Sequence, residues 1–325
     1  MQLEFAPMEG ITGYVYRNTH KRHFNGVDRY FLPFLLPNQT RSFITREKRD
    51  IMPEHNAGMS VVPQVLTCKA EDFLWAVGEL TARGYHEVNL NLGCPSGTVF
   101  TKGKGSGFLA HPAELQEFFE AVCPKLSEHS MKLSVKTRLG VEYPEEFERL
   151  LEIFNVYPLE ELIIHTRVRQ DFYKGNSRKE WIGYALAGSK NPVTYNGDIV
   201  HKNDIVHIKE ENPSLESVMI GRGLLANPAL GRQIKGGAAL TSKEFSEFHW
   251  DLYESYQREI PGGKNILFKM KELWFYQFCM FEDRTYFEKR MRKVQKEADY
   301  EILVRDLFAN LEVNPDGCFV PPELR

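Results

Sequence analysis

The stretch "NLNLGCPSGTVFTKGKGSGFLA", Asn89 to Ala110, sets one cysteine between an apolar run and a glycine-rich loop. Its first half belongs to a series. Short apolar runs, many with β-branched residues, recur as "LEFAPM" (3–8), "RYFLPF" (29–34), "SVVPQV" (60–65) and "EVNLNL" (87–92). They continue as "LSVKTR" (133–138), "ELIIHT" (161–166), "PVTYNG" (192–197) and "SVMIGR" (217–222). Between them lie stretches with helical patterning: 69–83 places Phe73, Val77 and Leu80 on one face, and 112–126 opens with Pro112 at an early helical position. Alternating strands and helices imply a parallel sheet. Eight units in about 240 residues fit the α/β class as a (β/α)8 TIM barrel, whose usual size is roughly 250 residues. A doubly wound open sheet is the alternative on pattern alone.

From about Thr241 the strand-like runs stop, and polar, aromatic and charged residues take over. The expected organisation is a catalytic barrel over 1–240 followed by a small all-helical C-terminal domain over 241–325. The 325 residues, 42% of them hydrophobic, suffice for a large core, and the formal charge of -3 excludes an overall basic protein. A local basic surface remains open: residues 264–296 hold nine Lys or Arg against four Asp or Glu, among aromatics. Five scattered cysteines without a Cys-x-x-Cys pair suggest neither a disulfide framework nor a zinc site, so no metal is expected. The apolar stretch "YFLPFLLP" (30–37) is far below membrane-spanning length, so the expectation is a cytoplasmic protein without a membrane partner.

The carboxyl ends of the eight runs carry Gln64, Asn89 and Asn91, Lys136 and Arg138, His165 and Arg167, Asn196 and Asp198, and Arg222. Each alone has an ordinary structural explanation, but a closed barrel brings them around one mouth, where barrel active sites lie. Glycines in "YNGDI" and "IGRGLLANP" suit close backbone approach to a phosphate after the last two strands. A Rossmann reading of "GRGLLA" fails because it follows the eighth strand. "TKGKGS" lacks the spacing of a nucleotide-binding P-loop and is expected to serve as a mobile lid.

Taken together, "APMEGITGYVYR" (6–17), "NLGCP" (91–95), "KTRLG" (136–140), "HTRVRQ" (165–170), "NGDI" (196–199) and "GRGLLANP" (221–228) resemble, in order, the signatures of the tRNA-dihydrouridine synthases. One departure is that Thr166 and Val168 stand where that family has Gly or Ala and then Thr. The resemblance implies bound FMN, NADPH as reductant, and tRNA as substrate and partner of a monomeric enzyme. Hydride passes from flavin N5 to uracil C6, and Cys94 is implied as the acid that protonates C5. A thiol with an ordinary pKa of about 8.5 is mostly protonated near neutrality. Pro7, Met8, Glu9, Gln64, Lys136, His165, Asn196, Gly197, Asp198, Gly221 and Arg222 are implied flavin contacts, with Lys136 stabilising the reduced ring. Asn91, Arg138 and Arg167 are implied at the substrate. Lys102, Lys104, Arg169 and Lys174 in loops and Lys289, Arg290, Arg292 and Lys293 in the tail are candidate RNA contacts. Alternatives are a flavin barrel acting on a free pyrimidine, as in dihydroorotate dehydrogenase, a non-catalytic RNA-binding barrel, and a flavin-free sugar-phosphate enzyme.

Overall fold

All eight apolar runs form strands in the computed structural model, which describes residues 1–38 and 40–321. The strands are β1 (Gln2–Phe5), β2 (Arg29–Phe31), β3 (Val61–Val62), β4 (Gln64–Val65) and β5 (Glu87–Leu92). β6 (Lys132–Gly140), β7 (Glu161–Val168), β8 (Val193–Asn196) and β9 (Ser217–Ile220) complete the set. They pair in the order β3-β2-β1-β9-β8-β7-β6-β5-β4, and the paired registers are parallel. The two ends of that order are halves of one strand interrupted at Pro63. On one side Val62 O accepts from Leu32 N at 2.9 Å, and on the other Pro63 O accepts from Asn89 N at 2.9 Å. Proline has no N–H to give to the β5 side, so a rung is missing there and one strand reads as two. The sheet is therefore a near-closed parallel barrel of nine hydrogen-bonded pieces, as the sequence pattern predicted.

The strands are buried on both faces, and an inner cluster of Ala6, Phe31, Val62, Ile163 and Met219 fills the barrel. Helices Ala70–Thr81, Pro112–Glu128, Glu146–Phe154 and Glu180–Gly188 alternate with the strands. Their apolar residues recur at helical spacing: Phe73, Ala76, Val77 and Leu80 are buried in the first, and Leu115, Phe118, Phe119, Val122 and Leu126 in the second.

The chain divides into two compact units, residues 1–7, 28–198 and 207–219 forming the first and residues 8–27, 199–206 and 220–325 the second. Within the second, helices Ser242–Glu259, Gly263–Gln277, Thr285–Lys293 and Glu297–Asn310 follow one another. They share an aromatic core in which Trp274 Nε1 donates to Tyr300 Oη at 2.9 Å and Tyr300 Oη lies 3.1 Å from His249 Nε2. Helix Tyr14–His23 belongs to this unit and packs on Ser242–Glu259 through Tyr16, Phe24 and Phe248, with Arg22 clamped on Asp251 at 2.9 Å. No described helix is long and apolar enough to cross a membrane.

At the amino ends of the strands Arg29 bridges three carboxylates: Glu87 at 2.6 Å, Glu4 at 3.1 Å and Glu161 at 3.2 Å. Burial, and then the charge of Glu161, push the Glu4 carboxyl well above its ordinary range, with Arg29 opposing them. Removing Arg29 takes away the cation that bridges all three carboxylates in a poorly solvated site. Arg29→Met is expected to destabilise the barrel by about 3–5 kcal/mol, the cost of breaking a buried ion pair from one side. Urea unfolding checks this, and an unchanged midpoint would refute it.

Candidate active site

Strand register decides which side chains meet at the carboxyl ends. Gln64 pairs with Asn89, Asn91 with Lys136, Arg138 with His165, and His165 with Asn196. The sequence-predicted strand-end residues of the barrel unit thus fall on neighbouring strands around one mouth.

Cys94 lies just beyond β5, half-buried, with its backbone held from both sides. Asn91 Oδ1 accepts from Gly93 N at 3.0 Å and from Cys94 N at 2.9 Å. Ser106 donates to Cys94 O through its N–H at 3.1 Å and its hydroxyl at 2.8 Å. Ser106 closes the glycine-rich segment 101–106 expected to be a mobile lid, in which Thr101 and Lys102 are exposed and Gly103 and Lys104 half-buried. Gly105–Ala110 is a 3-10 turn whose residues 105–109 are buried. Its glycines are needed for close packing, since a Cβ on Gly107 would sit 2.5 Å from Phe100 O. Nothing in the sequence around Ser106 marks this role.

Lys136 has one hydrogen-bond partner among the described residues: its Nζ donates to Asn196 Oδ1 at 2.7 Å, while Asn196 Nδ2 is fixed by Met219 O at 2.8 Å. Although part of its side chain remains solvent-accessible, dense surrounding protein desolvates the ammonium. Burial first, and then repulsion from Arg138, lower its pKa to about 7, and Cys94 is near enough to act electrostatically in the opposite direction. An ammonium with three donors and one acceptor suits an anionic or acceptor-rich ligand.

Arg138 and Arg167 are each only 1% exposed. Arg138 donates to Gly93 O at 2.9 Å, Val168 O at 2.9 Å and Phe172 O at 2.8 Å, and its guanidinium lies 5.3 Å from the Tyr173 ring. Arg167 reaches Asp198 at 2.6 Å, Lys174 O at 3.3 Å and His165 Nε2 at 3.1 Å. A guanidinium only donates, so His165 Nε2 accepts and its ring proton belongs on Nδ1. Both arginines, expected to face a substrate, spend their donors tying loop 168–175 to the strand ends. Arg169, expected at RNA, is stacked between Phe100 at 4.2 Å and Phe172 at 5.0 Å. Tyr173, exposed above Arg138 and 6.1 Å from the His165 ring, was not singled out from the sequence.

Gln64 is fully buried and hydrogen-bonded to Asn91 and Asn89. At Gly197 a Cβ would crowd Ser177 Cβ and Tyr195 Oη at 3.0 Å, and Asp198 follows with a positive φ of 37°. Asp198 Oδ2 also accepts from Ser177 N at 2.8 Å. Pro7 ends the first strand's segment in the barrel unit. In the other unit Met8 opens a turn closed by Thr12, whose hydroxyl accepts from Met8 N at 2.9 Å, and Glu9 is exposed. Gly221 precedes helix Arg222–Ala226, and the Arg222 guanidinium lies 5.1 Å from the Phe319 ring. Lys102 and Lys174 are exposed and Lys104 is half-buried, all in the barrel unit. Lys289, Arg290, Arg292 and Lys293 are exposed on helix Thr285–Lys293, whose buried side is Phe287 and Met291.

A parallel barrel with a cationic, amide-lined mouth and a loop thiol defines an enzyme class in which polar strand ends grip a ligand. The family profile described as "Dihydrouridine synthase (Dus)" matches residues 4–310, and the chain belongs to that family. As a dihydrouridine synthase it is an oxidoreductase. A probable tRNA-dihydrouridine synthase of Staphylococcus aureus is 27% identical over 265 residues, covering 78% of each protein. The tRNA-dihydrouridine(16) synthase of Pseudomonas putida is 28% identical over 260 residues, covering 77% of each. Among solved structures, a morphinone reductase in complex with tetrahydroNAD superposes with a TM-score of 0.51 at 11% identity, over 74% of this chain and 87% of that one. A 2-naphthoyl-CoA reductase superposes with a TM-score of 0.55 at 10% identity, over 73% of this chain and 50% of that one. These likenesses establish the barrel fold.

The low pKa of Lys136 has a measurable consequence. The unfolded chain keeps this proton up to its ordinary 10.5, whereas the folded chain releases it near 7, so Lys136 makes stability rise with pH across that window. Lys136→Met is expected to flatten that rise. Urea unfolding of both proteins at pH 7 and about 9 checks it, and parallel pH dependences would contradict the assignment.

Proposed function

We propose that this protein reduces a uridine of tRNA to 5,6-dihydrouridine with bound FMN and NADPH, and that Cys94 supplies the proton to uracil C5. The single observation that best supports this reading is the presence, at one barrel mouth, of a loop thiol and a desolvated ammonium whose one hydrogen-bond partner among the described residues is Asn196. The flavin, when bound, supplies a hydride to C6 of the uracil.

The mouth fits such a group. Lys136 has donors to spare for an electron-rich ring edge, and a fixed charge in a desolvated pocket stabilises developing negative charge more than the same charge in water. His165, as an Nδ1–H donor, and Asn196, Gly197 and Asp198 offer a polar strand-end surface with close backbone approach. Gln64 serves here mainly by fixing Asn91. Pro7, Met8, Glu9, Gly221 and Arg222 keep the flavin-binding role that family resemblance gives them.

Cys94 acts as general acid: its S–H bond breaks as the proton goes to C5, and the thiol is restored from solvent. Backbone hydrogen bonds on both sides of Cys94 hold it in one place, which suits a group that must meet one carbon of a bound base. Arg138 and Arg167 act on the substrate indirectly, by fixing the loop that carries Tyr173. Cys94→Ala is expected to leave flavin bound and NADPH oxidised at the normal rate, while dihydrouridine formation slows by roughly 10²–10⁴-fold. Stopped-flow flavin absorbance and mass spectrometry of the tRNA separate the two half-reactions, and normal product formation would remove Cys94 from the mechanism.

The segment 241–325 is proposed as the tRNA-binding domain, in a cytoplasmic enzyme that acts as a monomer. Phosphate contacts from Lys289, Arg290, Arg292 and Lys293 would offset the few kcal/mol needed to unstack a uridine, with Lys102, Lys104 and Lys174 as further contacts. Apparent tRNA affinity is expected to fall steeply with salt, and Lys289→Ala combined with Arg292→Ala to lower the slope by about 2. Filter binding across a salt series measures this; an unaltered slope would exclude that helix as a docking surface.

A further inference from the structure

Three buried amides run in a line from strand β6 to the Cys94 loop. The two backbone N–H groups of Gly93 and Cys94 both point at Asn91, so the Asn91 side chain must turn its oxygen to them. Its Nδ2 is then committed to Gln64 Oε1 at 2.7 Å. That commits Gln64 Nε2 to Asn89 Oδ1 at 2.7 Å, and Asn89 Nδ2 to Ser134 Oγ at 3.0 Å. Gln64, Asn89 and Ser134 are fully buried and Asn91 nearly so, which leaves little water to repair a wrong orientation. Every amide in the line therefore has one permitted orientation, dictated at one end by the loop and anchored at the other by a hydroxyl of β6.

We propose, building on Cys94 as the proton donor, that Asn89 is a positioning residue for proton delivery, although it shares no hydrogen bond with the Cys94 loop. Its Oδ1 keeps the Gln64 amide from turning over. Without that acceptor the Gln64 amide rotates to satisfy its nitrogen elsewhere and presents a donor to the donor of Asn91. Asn91 then releases one or both N–H groups of the Cys94 loop, and the thiol loses its fixed place. The hydroxyl of Ser106 still holds Cys94 O, so the loop shifts without unfolding.

The experiment compares Asn89→Leu, close in size but unable to accept, with Asn89→Asp, which still accepts from Gln64 and satisfies Ser134 either as a protonated acid or through rotation of the serine hydroxyl. In the flavin-loaded enzyme, Asn89→Leu is expected to lower dihydrouridine formation by roughly 10–100-fold, less than loss of the acid itself. The rate of flavin reduction by NADPH should stay near wild type, and Asn89→Asp should recover most of the product rate. Independently of turnover, alkylation of Cys94 by iodoacetamide, followed on its peptide by mass spectrometry, should change rate in Asn89→Leu and not in Asn89→Asp. If Asn89→Leu does not fold, Asn89→Ala carries the same comparison with less crowding. Unchanged alkylation and product formation in the apolar variant would overturn the proposal, as would an equal fall in both half-reactions or failure of Asp to restore function. Altered alkylation with a fully active Cys94→Ala enzyme would uphold the positioning while removing the proton-donor reading on which it was built.

Discussion

Closure of the sheet at the strand broken by Pro63 is the constraint on which the site depends. A parallel sheet left open there would expose unpaired backbone groups on both β2 and β5. Closing it forces Ser60 and Val62 to serve one neighbour and Pro63 the other, and so fixes the register of Gln64 beside Asn89. From that register the order of polar side chains around the mouth follows strand by strand. The missing N–H of Pro63 weakens one rung, and the fully buried Gln64–Asn89 hydrogen bond immediately after it ties the same two strands again.

Charge is distributed along the barrel axis in opposite senses at the two ends. The amino ends hold Arg29 among Glu4, Glu87 and Glu161, a surplus of carboxylate. The carboxyl ends hold Lys136, Arg138 and Arg167, of which Arg167 is paired with Asp198. Arg138 is satisfied by three carbonyl oxygens, which solvate its charge without cancelling it, and burial with the neighbouring Arg167 helps to lower its pKa to about 10. Lys136 is left as the most weakly compensated cation of the mouth. The field therefore favours an anionic or electron-rich ligand at the end where barrel enzymes bind their substrates.

Rigidity at this mouth comes from backbone carbonyls and amides more than from ion pairs. Arg138 ties the carbonyl before Cys94 to two carbonyls of the loop carrying Tyr173, while Asn91 and Ser106 hold the N–H and C=O of Cys94 itself. Groups held this way are placed before a substrate arrives, so little reorganisation accompanies the reaction.

The sequence by itself determined the barrel and its strands, because two-sided burial writes nearly continuous apolar runs and the βα alternation allows few topologies. It also determined that Cys94 and Asn196 stand at or just past strand ends, whereas β6 and β7 run on beyond Lys136 and His165 to Gly140 and Val168. Which partner each side chain takes was decided by tertiary structure alone. The carbonyls that Arg138 and Arg167 tie together could not be read from the sequence, which shows charge without showing what surrounds it. Ser106 and Ser134 carried no signal, as a serine gains its role only from the atom 3 Å away. The membership of Tyr14–His23 in the unit of the C-terminal helices was likewise invisible, since it rests on contacts such as Arg22 with Asp251, more than two hundred residues apart. Periodicity is a local property of the chain, and pairing across such separations is not.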